Sequence, residues 1–303
     1  MSPPGHQRPE MDITGPGDRT GARTAPELTN PRAERVKAVR ALSGRSARRR
    51  RGSFVVEGPQ AVREAVHGAG VRVRDLYLTR EGRQRDPGLV RAAVERGIAV
   101  HVGTVEVLAA MSPDGQGVVA VADLLEPSLR SVVEVAPRMV AVLAHVRDPG
   151  NAGTVIRAAD AAGADAVVLT DSSVDVHNPK VVRSTAGSLF HLPVVTGVPV
   201  ADAVADLRAA GLAVLAADGS GEHDLDALLD VAGGPAGGVP DLAEPTAWVF
   251  GNEAWGLRPE DRALADAVVR VPIHGRAESL NLAAAAAVCL YASARAQRRR
   301  ASA

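Results

Sequence analysis

The strongest constraint on the fold is a nearly uninterrupted run of apolar residues at positions 139–146. A short apolar run bounded by turn-forming residues is typical of a central strand in a parallel sheet, because such a strand is buried on both faces. Strand and helix patterns alternate after this run, which predicts an α/β domain with a parallel sheet. The predicted helices span 154–162, 200–210 and 280–297, and the predicted strands span 166–170, 212–216, 247–250 and 267–271.

The chain before this domain predicts a second, smaller α/β unit. Strand patterns at 54–56, 71–78, 98–102 and 118–122 alternate with helix patterns over a length usual for a small domain. Within the larger domain, an acidic stretch rich in Gly and Pro at 217–245 predicts a surface excursion. The predicted organisation is a disordered arm (1–30), a small α/β domain (31–123), a linker (124–137) and a large α/β domain (138–298).

Composition excludes several classes of protein. The single cysteine, Cys289, excludes an intrachain disulfide framework and a zinc site built from cysteine pairs. No apolar run approaches the roughly 18 residues of a membrane helix. The first residues lack the basic and apolar stretches of a secretory signal. We therefore expect a cytoplasmic protein with no membrane segment and no bound metal.

The net charge of zero conceals an asymmetry between the two halves of the chain. Residues 1–130 hold 21 Arg and Lys against 15 Asp and Glu, a net charge of +6, and residues 131–303 carry −6. A basic half favours an anionic partner. The basic run at 45–51 is either a solvated arm or a nucleic-acid patch, and the residues alone leave both open. Aromatic residues make up only 2%, which argues against an RNA surface built from stacked rings.

Three polar segments follow buried elements of the large domain. In the first segment, a loop that contains glycines precedes a helix. This loop is either a site for an anion or a tight turn in which Asn151 lies near the helix N-cap. Arg157 lies in that helix beside the apolar Ile156, where an arginine requires an anion. The second segment places Gly251 and Glu253 after a buried strand, where open α/β sheets bind ligands, although a solvated turn is equally compatible.

The third polar segment runs from 271 to 282 and leads into an alanine-rich helix. Ser279 is either a helix N-cap or a functional hydroxyl. Asn281 is unusual for a structural role in the first turn of an apolar helix. His274 is more typical of a loop than of a metal site, because no second ligand stands at metal spacing.

Together these segments resemble the motifs of the SpoU (TrmH-type) RNA 2′-O-ribose methyltransferases of the SPOUT class. The family pattern N-x-G-T-x-x-R-x-A matches residues 151–159, G-x-E-x-x-G-L matches 251–257, and P-x-x-G-x-x-x-S-L-N matches 272–281. A further family pattern, P-K-x-x-R-x-S-x-G-x-x-F, matches 179–190 with Thr185 in place of the serine. Residues 52–58 after a basic lead-in resemble the family's substrate-binding module, which is similar to small RNA-binding ribosomal proteins. The resemblance covers residues 33–298.

The resemblance implies a SPOUT domain whose parallel sheet carries a deep trefoil knot, an exception to the usual absence of knots. It also implies that S-adenosylmethionine binds in the knot. The cofactor contacts carried over by motif position are the backbone groups of Gly251, Val271 and Leu280. The catalytic residues carried over are Asn151, Arg157, Glu253, Ser279 and Asn281.

Family members are typically homodimers with the active site near the subunit interface, so Asn151 and Arg157 are expected to act across it. The implied reaction is methyl transfer to a ribose 2′-hydroxyl. Because a guanidinium stays protonated, we expect Arg157 to anchor a phosphate or oxyanion, with Glu253, a phosphate or water as the base. RNA contacts are expected from the basic run and from the 179–190 segment, at Arg45, Arg48, Arg49, Arg50, Arg51, Lys180 and Arg183.

The separate N-terminal module favours large-subunit ribosomal RNA over transfer RNA as the substrate, by analogy with the family. Two alternatives compete with this interpretation. A dinucleotide-dependent enzyme fits Asp171 after the second strand, but residues 150–153 do not form G-x-G-x-x-G. A non-catalytic RNA-binding relative predicts degraded motifs, whereas the polar motif residues are all present. The sequence leaves open which nucleotide is the target, and whether the role is housekeeping or antibiotic resistance.

Overall fold

The computed structural model describes residues 26–234 and 238–301, which form two α/β units packed against each other. Residues 1–25 of the predicted arm lie outside the described residues. The N–H of Leu28 donates to the carbonyl of Val102 at 2.8 Å, and the N–H of Thr104 donates to the carbonyl of Leu28 at 3.0 Å. The last residues of the predicted arm therefore lie along the edge of the small sheet.

The small unit is a four-stranded sheet with helices on both faces. Its strand order is β1-β4-β2-β3, in which β4 runs antiparallel to β1 and β2, and β2 runs parallel to β3. Its elements are α1 (Glu34–Arg40), α2 (Arg45–Arg51), β1 (Ser53–Glu57), α3 (Pro59–His67), β2 (Val73–Leu78), α4 (Arg80–Arg85), α5 (Pro87–Glu95), β3 (Ala99–Val102), α6 (Val105–Met111) and β4 (Val118–Asp123).

The large unit is a seven-stranded sheet in the order β7-β6-β5-β10-β8-β11-β9, and every strand pair in it is parallel. Its elements are α7 (Leu129–Val133), β5 (Met139–Leu143), α8 (Pro149–Ala162), β6 (Ala166–Thr170), α9 (Pro179–Ser184), β7 (Val194–Val198), α10 (Val200–Ala209), β8 (Ala213–Ala217), β9 (His223–Asp224), α11 (Leu225–Val231), β10 (Thr246–Phe250), α12 (Pro259–Arg262), β11 (Ala267–Arg270) and α13 (Leu282–Ala301).

Both faces of the large sheet are covered, which is why its central strands are apolar throughout. One core cluster packs Trp248 and Phe250 of β10 against Ile156 of α8 and Cys289 of α13, all of them buried. A second cluster on the opposite face packs β5, β8 and β10 against α10. Burial raises the pKa of the Cys289 thiol to about 12, so this cysteine is a packing residue rather than a nucleophile.

The predicted α/β class with a parallel sheet is confirmed, and the structure adds detail that the patterns did not show. The basic run at 45–51 is a helix that ends at Gly52, whose φ of +60° is one that glycine adopts without strain. The predicted linker contains α7, which packs against the large sheet. The predicted excursion at 217–245 is partly core, because Leu225, Leu228 and Leu242 are buried. The knot implied by the family resemblance stays a prediction.

The described part of the chain contains no helix that is long and apolar enough to cross a membrane. It also contains no group of three or more His, Cys, Asp or Glu side chains placed to hold a metal ion.

Ion pairs of arginine with aspartate and glutamate join the small unit to the large one. Arg48 is 3% exposed, and its guanidinium lies 2.7 Å from a carboxylate oxygen of Asp175. Arg183 of α9 forms an ion pair with the buried Glu57 at the end of β1, and it lies 2.8 Å from Asp114. Core residues of both units also belong to one continuous apolar cluster. The two units are therefore joined by a buried interface rather than by a linker alone.

A histidine at this interface predicts a pH dependence of stability. His191 lies 2.8 Å from Asp160 of α8 and 3.2 Å from Glu64 of α3. The hydrogen bond with Asp160 is the main cause that raises the pKa of His191, and Glu64 adds to it. A histidine whose pKa is raised on folding stabilises the folded state. This contribution is complete at pH values below the pKa of the unfolded state, about 6.5, and it disappears as the pH rises through the pKa of the folded state.

We therefore expect His191→Gln to lower the melting temperature more at pH 6 than at pH 8. Thermal unfolding followed by circular dichroism across that range checks this, with His67→Gln as the control histidine. An equal loss at both pH values would contradict the ionic role of His191.

Candidate active site

A cleft of about 660 Å³ opens at the carboxyl ends of β8, β10 and β11. Its volume lies in the range of small-molecule sites. In the sheet, β6 lies on one side of β5, whereas β10 and β8 lie on the other side. The strand order therefore changes direction between β5 and β10, and the cleft adjoins this point. The lining residues used below are Phe250, Gly251, Glu253, Val271, Ser279, Leu280 and Leu282.

Three polar residues from the three motifs meet at the rim of this cleft. The side-chain amide of Asn151 donates to Glu253 Oε1 at 3.3 Å, and Asn281 Nδ2 donates to Asn151 Oδ1 at 3.1 Å. The backbone N–H of Asp148 also donates to Glu253 Oε1, at 3.3 Å. Asn151 is thus linked in one chain of hydrogen bonds to two residues more than 100 positions away, which fixes the orientation of its amide at both ends.

The start of α8 holds Asn151 in place. Asp148 is the N-cap, and its carboxylate accepts a hydrogen bond from the N–H of Asn151 at 2.7 Å. A carboxylate is favoured there by the unpaired N–H groups and by the helix dipole. Gly153 lies against α9 so closely that an added Cβ would stand 2.7 Å from the carbonyl oxygen of Val181. This glycine therefore allows α8 and α9 to pack.

The segment after β10 is a tight loop with its own hydrogen bonds. Asn252 and Gly256 each donate a backbone N–H to the other's carbonyl at 2.9 Å. The side chain of Asn252 is buried and donates to the carbonyl of His145 at 2.7 Å. Gly251 packs directly on the backbone of Gly256 and Leu257, so that no Cβ fits there. The loop therefore holds Glu253 at a defined position beside β5.

The third segment supplies unpaired backbone groups to the cleft. Residues 271–280 make no backbone hydrogen bond with any other described residue. Val271 is half-buried and Leu280 is 40% exposed, and both line the cleft. Main-chain N–H and C=O groups beside apolar side chains suit a nucleoside, whose base presents both donors and acceptors.

Two of the predicted catalytic residues lie apart from the hydrogen-bonded chain. Ser279 lines the cleft, and its hydroxyl makes no hydrogen bond with a described residue. Arg157 is exposed, does not line the cleft, and has no partner within the ranges that the structure describes. Because Ile156 and Ala159 are buried, Arg157 faces outward on α8. Arg157 thus lies at the surface beside the buried Ile156, and its role stays a prediction.

The predicted RNA contacts fall into two groups. Arg45, Arg49, Arg50 and Lys180 are exposed, and so is Arg51, although it donates to the carbonyl of Ala38 at 2.8 Å. Arg48 and Arg183 instead make ion pairs between the two units, and the exposed Arg45 also lies 3.8 Å from Asp175. The guanidinium of Arg48 is buried and therefore does not reach a phosphate in this conformation.

One residue beneath the site was not found from the sequence. His145 is buried and has a φ of +55°, which is uncommon for a residue with a side chain. Its backbone N–H donates to Thr170, and its ring nitrogens lie 3.0 Å from the carbonyl of Asp171 and 3.3 Å from Asp261. Its one signal in the sequence is that a polar residue interrupts the apolar run at 139–146.

Comparison with protein families assigns both units. Residues 138–291 match the SpoU rRNA Methylase family, and residues 33–120 match the MRM3-like substrate binding domain. The first match contains every residue of the hydrogen-bonded chain at the cleft. The second covers the small unit from α1 into the first half of β4.

Curated relatives match over most of the chain. The 23S rRNA (guanosine(2553)-2′-O)-methyltransferase RlmP of Bacillus subtilis (strain 168) is 33% identical over 88% of this chain and 98% of its own length. The 23S rRNA (uridine(2479)-2′-O)-methyltransferase of Streptomyces viridochromogenes is 34% identical over 92% of this chain and 94% of its own length.

Solved structures agree with these matches. The AdoMet-bound rRNA methyltransferase from Sinorhizobium meliloti has a TM-score of 0.76 and 31% identity, covering 89% of this chain and 97% of that one. The SpoU methyltransferase AviRb from Streptomyces viridochromogenes, in complex with the cofactor AdoMet, has a TM-score of 0.73 and 34% identity, covering 89% of this chain and 100% of that one. From its fold, its motifs and these matches, the chain belongs to the SpoU rRNA methylase family.

Proposed function

We propose that this protein transfers a methyl group from S-adenosylmethionine to a ribose 2′-hydroxyl of 23S ribosomal RNA. The observation that carries the proposal is the hydrogen-bonded chain of Glu253, Asn151 and Asn281 at the rim of a cleft with unpaired backbone groups. Relatives that cover nearly the whole chain are named as 23S rRNA 2′-O-methyltransferases, which favours ribosomal over transfer RNA. Such a substrate also favours the cytoplasm as the location.

The residues at the cleft fit S-adenosylmethionine. Backbone groups of Gly251, Val271 and Leu280 would hold the adenosine, with Phe250 and Leu282 as apolar walls. When bound, this cofactor supplies a methyl group on a positively charged sulfur. Two solved relatives contain it. No metal takes part in the proposed reaction.

Glu253 is the residue best placed to receive the proton of the 2′-hydroxyl. Its Oε1 accepts two hydrogen bonds, whereas Oε2 makes none with a described residue and can face the substrate. The neighbouring amides keep the carboxylate in one orientation, which aligns it with the hydroxyl. Asn281 supports Asn151 from the other side, and Ser279 is free to bind the ribose.

Arg157 fits a role in a second subunit. It faces outward from α8, and the neighbouring α13 exposes Val288 (43%) and Tyr291 (53%) on the same side of the unit, where the Tyr291 hydroxyl lies 3.4 Å from the carbonyl of Ala161. We propose that a homodimer buries this face, and that Arg157 of each subunit then anchors a phosphate or the reacting oxygen at the partner's cleft. In this arrangement Asn151 acts within its own chain.

The exposed basic residues of α2, together with Lys180, would steer the RNA electrostatically. This restricts the proposed RNA contacts to Arg45, Arg49, Arg50, Arg51 and Lys180.

We expect the purified protein to transfer tritium from labelled S-adenosylmethionine to unmodified large-subunit ribosomal RNA. The added methyl group should protect one phosphodiester linkage from alkali, because a methylated 2′-oxygen can no longer attack the adjacent phosphate. The RNA is fractionated into ribosomal and transfer RNA before counting, and cofactor affinity is measured separately by calorimetry.

Label found only in transfer RNA would show that transfer RNA, and not ribosomal RNA, is the substrate, and the proposed reaction would still stand. Absence of label together with absence of cofactor binding would exclude the methyltransferase and leave a non-catalytic RNA-binding protein.

A further inference from the structure

Trp255 is an exposed indole on the loop that carries Glu253. It is 46% exposed, whereas the chain's other tryptophan, Trp248, is fully buried. Burying an indole is strongly favourable, so a large exposed ring beside a reaction centre marks a surface that another molecule covers.

The loop holds this ring on a rigid support. The paired backbone hydrogen bonds of Asn252 and Gly256 enclose Trp255, and the buried Asn252 side chain ties the loop to the end of β5. The backbone that carries the ring is therefore held in place before any partner binds, which reduces the entropy lost on binding.

The ring also lies outside the cofactor cleft. Ala254 and Gly256, on either side of it, line the cleft, but Trp255 does not. It stands two residues from Glu253, whose carboxylate faces the reacting hydroxyl in the proposed reaction. A molecule that contacts Trp255 is thus close to the reacting ribose and separate from S-adenosylmethionine.

A cation accompanies the ring. The guanidinium carbon of Arg147 lies 5.2 Å from the centre of the indole, within the range of a cation–π contact. Arg147 is exposed and directly precedes Asp148. The nearby carboxylates of Asp148 and Glu253 accept hydrogen bonds from other groups, and neither forms an ion pair with Arg147. An aromatic face beside an arginine matches single-stranded RNA, which offers flat bases on an anionic backbone.

We propose that Trp255, with Arg147, is a stacking platform for an unpaired base of the RNA substrate next to the methylated ribose. The inference rests on the proposed function and adds to it how the target nucleotide is positioned. Stacking fixes the base, and the base then fixes the direction of the ribose 2′-hydroxyl toward Glu253.

Tryptophan fluorescence tests the contact without measuring activity. Unmodified large-subunit ribosomal RNA should quench the exposed Trp255 and protect it from acrylamide. Trp255→Phe leaves buried Trp248 as the sole tryptophan, so RNA should cause almost no change in its emission. Quenching in the wild type that persists undiminished in Trp255→Phe would overturn the proposal.

Kinetics test the consequence of the contact. Trp255→Ala should lower kcat/KM for RNA by about 10- to 100-fold, the effect of losing one stacked base, while Trp255→Phe should lose less. The affinity for S-adenosylmethionine should stay unchanged in both variants, which separates the platform from the cofactor cleft.

The outcomes distinguish this inference from the proposed function. If the wild type methylates RNA and Trp255→Ala does so equally well, the platform is excluded and the function stands. If light scattering shows that Trp255→Ala is monomeric while the wild type is dimeric, the ring belongs to the subunit interface and the proposal fails. If the wild type methylates no RNA, the function fails, and RNA quenching of Trp255 alone decides the platform.

Discussion

Glu253→Gln is expected to lower kcat for methyl transfer by a factor of about 10²–10⁴, the usual contribution of a general base. Glutamine keeps the size of the side chain, and its Oε1 still accepts from the Asn151 amide and from the N–H of Asp148. The change therefore removes the proton acceptor and leaves the hydrogen-bonded chain in place. Affinity for S-adenosylmethionine should be retained. Glu260→Gln, an exposed glutamate at the start of α12, is the matched control.

The same variant tests whether Arg157 acts across a dimer. Arg157→Ala alone should lower kcat by about 10²-fold or more, as expected for the loss of an anchor of developing charge. In a mixed dimer, the subunit that carries Arg157→Ala retains Glu253 and receives Arg157 from the subunit that carries Glu253→Gln. Random exchange makes about half of the dimers mixed, each with one intact site, so an equimolar mixture should regain about a quarter of wild-type activity.

Both single variants are measured before and after subunit exchange, and light scattering confirms the dimer. An inactive mixture of otherwise dimeric variants would show that Arg157 and Glu253 serve one site within the same chain. A monomeric wild type with full activity would exclude the proposed dimer.

The fold was largely predictable because hydrophobic period and turn residues are local signals. The apolar run at 139–146 predicted the central strand β5, and alternation predicted the parallel sheet around it. Helix α2 was not predicted, since among its seven residues Ala47 is the one buried apolar side chain and no period is visible. The buried Arg48 pairs with Asp175, 127 positions away, and no local pattern contains that information.

The site was predictable only in part for the same reason. Motif positions identified Asn151, Glu253 and Asn281, and the structure brings these three together. The outward direction of Arg157 follows from the helix period once Ile156 is known to face the sheet. His145 was missed because its contacts come from three separate segments, which contain Asp171, Asn252 and Asp261.

The ion pair between Arg48 and Asp175 leads to the prediction with the largest effect on stability. The Arg48 side chain is buried, its Nε has no hydrogen-bond partner among the described residues, and its other nitrogens donate to the carbonyls of Leu42 and Ser43 and to Asp175. Asp175 is the one carboxylate among the described residues that contacts this buried cation, and Asp175→Asn removes its charge. Breaking a buried pair by removing one partner costs about 3–5 kcal/mol, because the remaining charge stays desolvated.

We therefore expect Asp175→Asn to lower the free energy of unfolding by about 3 kcal/mol at pH 7, measured by urea denaturation. Asp206→Asn makes the same chemical change at an exposed position of α10 and should cost less than about 0.5 kcal/mol. The double variant Arg48→Met/Asp175→Asn should lose less than the sum of its single variants, since no buried charge is then left unpaired. A sum that is simply additive would contradict the pairing.

The pH dependence gives an independent check on the same pair. Burial raises the pKa of Asp175, but hydrogen bonds from His177 and Arg48 outweigh it and hold this pKa well below its usual value. A carboxylate with a lowered pKa stabilises the fold above its unfolded pKa of about 3.9, and the contribution is lost as pH falls toward the folded value. The stability difference between wild type and Asp175→Asn should therefore stay constant from pH 7 to about pH 5 and shrink below about pH 4. A difference that persisted unchanged into strong acid would mean that the charge of Asp175 does not hold the two units together.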